Sequence, residues 1–162
     1  MTINRSSPMK EMKVLLVDDE ETFVKTLSER LEMRDMKSDT VFGGQEALHF
    51  VDDNEPDVMV LDLKMPGIDG MEVLRRIKKR YPRIQVIILT GHGTDKDEDE
   101  ARRLGIFDYM QKPADIETLA ERIKAAYKTK VQDVMAAVAF AEAGEAETAI
   151  NMVTTKKEKE SE

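Results

Sequence analysis

Three runs of valine, isoleucine and leucine, Val14–Val17, Val58–Leu61 and Ile84–Leu89, are unbroken or nearly unbroken by polar positions. They are too short for helices and too continuous for strands with one wet face, so they predict strands covered on both sides. Two weaker strands complete the set. Ser38–Phe42 follows a turn at Asp35-Met36, and Ile106–Met110 follows Gly105, a residue suited to closing a helix. Apolar positions recur at helical spacing in between: Phe23, Val24, Leu27 and Leu31 in Glu21–Met33; Ala47, Leu48 and Val51 in Gly44–Val51; Val73, Leu74 and Ile77 in Met71–Arg80. A highly charged fourth helix is predicted over Asp95–Leu104, and a fifth over Asp115–Tyr127, with Ile116, Leu119, Ile123 and Ala126 on one side. Strand and helix alternate throughout. With right-handed crossovers this predicts an α/β fold, a (βα)5 doubly wound parallel five-stranded sheet with flavodoxin-like strand order.

The polar residues that end these runs change the picture from fold to chemistry. Asp18-Asp19 follows VLLV, Asp62 follows VMVL, Thr90 follows VIIL, and Lys112 lies just past FDYM. In a parallel sheet all strand C-termini open on one edge, where such folds bind ligands, so this order gathers three carboxylates, a hydroxyl and an ammonium. Crowded carboxylates raise one another's pKa unless a cation is bound. An oxygen-only set without Cys or His suits Mg²⁺, a hard ion that takes one or two carboxylates plus a phosphate oxygen. As a lone pair, Asp18-Asp19 would read as the cap of the first helix; Asp62 at a second strand end favours the metal. A carboxylate held there can act as a nucleophile toward a phosphoryl donor, with Thr90 and Lys112 placed to bind phosphoryl oxygens.

Composition narrows the class. Asp and Glu number 33 against 25 Lys and Arg, a formal charge of −8, which argues against a nucleic-acid surface. The one dense basic stretch, Arg75–Arg80, has the spacing of a solvated helix face. Cysteine is absent, so disulfides and thiolate metal sites are excluded, as suits a reducing cytoplasm. No apolar run approaches the ~18 residues of a membrane span, and the first twelve residues have no signal-like apolar stretch. His49 lies among Leu48 and Phe50 and reads as structural, whereas His92, between Gly91 and Gly93, reads as an exposed loop position.

The motifs VLLVDDE (14–20), VLDLKMPGIDG (60–70), VIILTGHG (86–93) and FDYMQKP (107–113), in this order and spacing, resemble the receiver domain of two-component response regulators. The likeness covers about residues 12–128 and is nearest to the single-domain, chemotaxis-regulator-like type. It implies that Asp62 is the phosphoacceptor and that Asp18, Asp19, Asp62 and the backbone carbonyl of Lys64 surround Mg²⁺. It further implies that Thr90 and Lys112 bind the phosphoryl group, that Lys112-Pro113 is cis, and that Tyr109 is a switch aromatic responding to Thr90. Lys64 and His92 would flank the path of an attacking water. The donor would be a histidine kinase or histidine phosphotransfer protein and the output a downstream protein target. Enzymatic activity would be limited to accepting the phosphoryl group and hydrolysing the acyl phosphate.

Beyond the fifth helix Val131, Val134, Met135 and Val138 make an apolar stripe that could prolong it. Gly144 interrupts, and Ala146, Ala149, Ile150 and Val153 sketch a further amphipathic turn. The expected organisation is a flexible 1–11, the domain at 12–128, a helical extension at 129–153 that could pair two copies, and a disordered charged 154–162. About 34 residues after the fifth helix are too few for a usual DNA-binding or enzymatic output domain. Three rivals remain: a phosphorylation-independent interaction module, a Mg²⁺-dependent aspartyl phosphatase, and a flavin-binding flavodoxin-like protein. The second usually wants Asp-x-Asp where this chain has adjacent aspartates. The third lacks a hydroxyl-rich phosphate loop.

Overall fold

Continuous apolar runs become interior strands here because each is covered twice. The computed structural model describes residues 11–143, in the order β1 (Val14–Val17), α1 (Glu21–Glu32), β2 (Ser38–Val41), α2 (Gly44–Asp53), β3 (Val58–Leu61), α3 (Gly70–Arg80), β4 (Gln85–Thr90), α4 (Asp95–Arg103), β5 (Asp108–Gln111) and α5 (Ile116–Glu142). All strand pairs are parallel, in the order β2-β1-β3-β4-β5. Alternate side chains divide the interior. Leu15, Val17, Met59, Leu61, Val86 and Ile88 pack under α2, α3 and α4 with Ala47, Val51, Leu74, Ile77 and Ala101. Val14, Leu16, Val58, Val60, Ile87 and Leu89 pack on the other face under α1 and α5 with Val24, Leu31, Leu119, Ile123 and Ala126. The expected doubly wound sheet is therefore present, and a side-chain period of two accounts for both cores.

Helix starts follow local chemistry. Asp69 accepts from the Glu72 amide, Asp115 accepts from the Thr118 amide, and Thr94 with Asp97 forms a reciprocal capping box at α4. Gly105, at φ +91°, closes α4 as the sequence suggested, with its amide on Arg102 O. Gly70 answers to space: a Cβ there would lie 2.1 Å from Asp62 O and 2.5 Å from Leu63 Cα, so the start of α3 presses on the segment that carries Asp62.

Several boundaries move. β2 ends at Val41, and the Phe42 amide turns to Glu46 instead. β4 runs one residue later than expected and includes Thr90, while β5 begins at Asp108 rather than Ile106. The basic stretch is not uniformly solvated: Lys78 is buried and donates to Ile84 O at 2.9 Å. The helical extension is a direct continuation of α5, which runs on from Tyr127 to Glu142 and carries the expected apolar stripe. Lys130 of that stretch pairs with Asp57, which also accepts from the Lys13 amide at 2.8 Å. No helix among the described residues is long and apolar enough to cross a membrane. Residues 1–10, the amphipathic turn after Gly144 and the charged tail lie outside the described residues.

Candidate functional site

The strand register brings the polar residues to one height. Val17 pairs with Val41 and Leu61, so Asp18 and Asp62 leave adjacent strands side by side. The ladder continues one step past the strands: the Asp18 amide donates to Val41 O at 3.2 Å, Asp62 to Val17 O at 3.0 Å, and Lys112 to Thr90 O at 2.9 Å. These bonds seat the backbone of three site residues directly on the sheet edge. Asp18, Asp62 and Thr90 are buried, and Thr90 is fully enclosed.

Carboxylate oxygens of Asp18, Asp19 and Asp62 all lie within 4.8 Å of one another. Lys112 Nζ stands among them, 2.6 Å from Asp18 Oδ2 and 3.7 Å from both Asp62 Oδ2 and Glu20 Oε1. Lys112-Pro113 is cis, as expected. Three carboxylates, those of Asp18, Asp62 and Glu20, thus share one ammonium. Burial pushes the Asp18 carboxyl above its ordinary range, and Asp62's charge adds to this; the Lys112 hydrogen bond and the Glu20 amide oppose it without prevailing. Burial alone would lower Lys112, but the Asp18 hydrogen bond and the charges of Asp62, Asp18 and Glu20 outweigh it and hold the ammonium above its ordinary value. The two shifts differ in their main cause, burial at Asp18 and neighbouring carboxylates at Lys112, yet the acidic surplus around Lys112 favours an added cation. The donor set fits Mg²⁺ by chemistry: hard oxygens only, spread close to the roughly 4.2 Å between opposite ligands on an octahedral ion.

The remaining expected residues divide. The Lys64 amide approaches Asp62 Oδ1 at 3.4 Å, but its ammonium turns outward to Asp97 Oδ2 at 3.3 Å. That pair links the segment after Asp62 to the capping box of α4. Lys64 and the Thr94 amide both help to hold the Asp97 carboxyl low, the amide more strongly. His92 is exposed as expected, and its amide lies 3.4 Å from Thr90 Oγ1. His49 is exposed on α2 beside Gln45, away from the crevice and not part of the core. Tyr109 is buried, and its hydroxyl finds no hydrogen-bond partner among the described residues. Burial foremost, then the acidic Asp97, Glu98, Asp95 and Asp62, raise its pKa.

Sequence reasoning passed over two neighbours. Phe23, taken only as a core residue of the first helix, lies under Lys112 with its ring centre 4.3 Å from Nζ, a contact that steadies the ammonium. Glu20 completes the acid ring; its place directly after Asp18-Asp19 was the available signal. Lys64–Asp97 had none, because a pair between the loop after β3 and the first turn of α4 becomes visible only once the chain is folded.

The described fold is that of a flavodoxin-like domain whose C-terminal sheet edge carries an oxygen-donor crevice. Comparison with known proteins narrows the class. A family model described as the response regulator receiver domain matches residues 14–124. The DNA-binding transcriptional regulator NtrC of Escherichia coli K12 is 35% identical over 122 residues, 74% of this chain and 26% of that protein. The regulatory protein AtoC of the same strain is 34% identical over 107 residues, 66% of this chain and 23% of that protein. Among solved structures, a response regulator receiver domain protein from Clostridium thermocellum shares 36% identity at a TM-score of 0.71, covering 75% of this chain and 98% of that one. NtrX from Brucella abortus, solved with ADP, gives a TM-score of 0.74 at 26% identity, covering 82% and 30% of the two chains. The chain belongs to the response regulator receiver domain family. It spans about a quarter of the length of the curated relatives it matches.

Proposed function

We propose that this receiver domain, assigned to residues 12–128, accepts a phosphoryl group on Asp62 from a phosphohistidine of a histidine kinase or histidine phosphotransfer protein. The altered domain then signals through contact with a downstream protein. The observation that supports this most is Lys112 Nζ at 2.6 Å from Asp18 and 3.7 Å from Asp62 inside a buried acid cluster. That ammonium stands beside the carboxylate at which phosphoryl oxygens would arrive.

In the transfer an Asp62 carboxylate oxygen attacks phosphorus. The donor P–N bond breaks, and its electron pair remains on the imidazole nitrogen, which takes up a proton. Asp18, Asp19, Asp62 and the Lys64 carbonyl are the groups that would hold Mg²⁺, which when bound neutralises charge on the transferring oxygens. Lys112 leaves Asp18 to pair with one phosphoryl oxygen, and the Thr90 hydroxyl donates to another. Movement of Thr90 changes the space beside Tyr109, and the ring's position alters the face around β5 as a two-state shift. Later, water attacks phosphorus, phosphate leaves and Asp62 is restored. Lys64 and His92 flank the water's route and set the lifetime of the acyl phosphate.

The test is intact-protein mass measurement after incubation with acetyl phosphate and Mg²⁺, on wild type and Asp62→Asn. A single phosphoryl adduct that is labile to hydroxylamine and missing from the variant supports the reading. Equal labelling of both proteins refutes the assignment of Asp62.

A further inference from the structure

Two glycines flank His92, and their surroundings differ. At neither is φ in the left-handed region, so backbone conformation does not call for glycine. A Cβ on Gly91 would meet only Lys112 Cβ at 3.8 Å and Cδ at 3.9 Å, an ordinary contact. A Cβ on Gly93 would lie 1.7 Å from Tyr109 Oη, 3.0 Å from Tyr109 Cζ and 2.9 Å from Thr90 Cγ2. The missing side chain at 93 is therefore a notch occupied by the tip of the Tyr109 ring. The notch supplies room and no hydrogen bond, since the Tyr109 hydroxyl is buried without a partner among the described residues.

We propose that Gly93 is a positioning residue: its missing side chain admits Tyr109 to the inward position and so sets how much of the unphosphorylated protein holds that arrangement. The proposal rests on the Tyr109 role given above. An inward ring gains apolar burial, while its hydroxyl loses a partner it would have in water. These contributions oppose each other, so a displacement of Thr90, which borders the same notch, shifts the balance between the inward and outward positions. Filling the notch with one methyl group removes the inward option without touching Asp62, Lys112 or the acid cluster.

The full chain labelled with 3-fluorotyrosine has three tyrosines, and Tyr109→Phe assigns the Tyr109 fluorine resonance. In Mg²⁺-loaded, unphosphorylated wild type this resonance is expected to be shielded from a soluble paramagnetic agent. In Gly93→Ala, with no phosphoryl donor, it should shift and become accessible; in Gly91→Ala it should stay as in wild type. A Tyr109 resonance equally protected in Gly93→Ala, or equally exposed in Gly91→Ala, overturns the proposal. Wild type treated with acetyl phosphate separates this from the switch reading. Movement in Gly93→Ala without movement in phosphorylated wild type keeps the notch and removes the switch, whereas the reverse removes the notch. Thermal melting supplies a second arm. Most of any drop in midpoint caused by Gly93→Ala should vanish in a Tyr109→Ala background, where only the 2.9 Å approach to Thr90 Cγ2 remains, and a drop that persists in full there overturns the proposal.

Discussion

The C-terminal edge of the sheet and the overhanging half of α5 invert the usual surface pattern in opposite ways. At the sheet edge, polar groups are buried: Asp18, Asp62 and Thr90 lie inside, around a lysine whose side chain is 13% exposed. Along residues 127–142, apolar groups are exposed, with Met135 at 60%, Val138 at 43% and Phe140 at 37%. The first half of the same helix is ordinary, burying Leu119, Ala120, Ile123 and Ala126 against the sheet. Buried charge without full pairing costs stability and is retained where chemistry needs it. Exposed apolar surface costs little by itself and marks only where contact would be favourable. The crevice therefore gathers residues suited to chemistry, while the helix end offers no more than a surface.

Three experiments break or sharpen this contrast. The largest effect is expected from Lys112→Ala, which removes the ammonium paired with Asp18, Glu20 and Asp62: phosphorylation by acetyl phosphate should slow by ~100-fold, as when a single charge-stabilising donor is lost. Mg²⁺ affinity, measured by calorimetry, should be largely kept, and a change in metal affinity alone would contradict the role given to Lys112. An intermediate effect is expected at Asp97, which joins the crevice to α4 through Lys64 and the capping box. Asp97→Ala should cost about 1 kcal/mol in urea unfolding, the usual value of a helix cap, and leave a phosphorylated chain that still forms its adduct. The smallest effect belongs to the overhang. Met135→Asp combined with Val138→Asp should alter labelling by less than about twofold, because distant sites act independently. Sedimentation of the same variant beside wild type then measures whether that stripe pairs two copies. A large labelling defect from the overhang would end the separation of the two regions.

The same contrast explains what the sequence could disclose. The sheet and the acid cluster were legible because the strand runs fix direction, and each run ends on a residue of the cluster, as VLLV does on Asp18-Asp19 and VMVL on Asp62. Strand ends were less legible: Ile106 and Phe107 look like β5, yet they only lead into it, with the Phe107 amide bonded to Val86 O before the strand pairing begins at Asp108. The length of α5 was left open because its last fully buried residue is Ala126, while nothing between Tyr127 and Glu142 stops a helix already nucleated by packing. Gly93 and the Lys64–Asp97 pair were hidden for another reason. Their meaning depends on which residue of a separate element lies opposite, Tyr109 of β5 or Asp97 of α4, and neighbouring sequence does not record that.

The most direct test of the central claim is to locate the phosphoryl group chemically. Borohydride reduction of the chain after treatment with acetyl phosphate and Mg²⁺ converts an acyl-phosphate aspartate to homoserine, and peptide mass mapping then finds its position. The account predicts homoserine at position 62 and at no other acidic residue. Homoserine at Asp18 or Asp19, or a phosphoryl adduct that yields none, would contradict it.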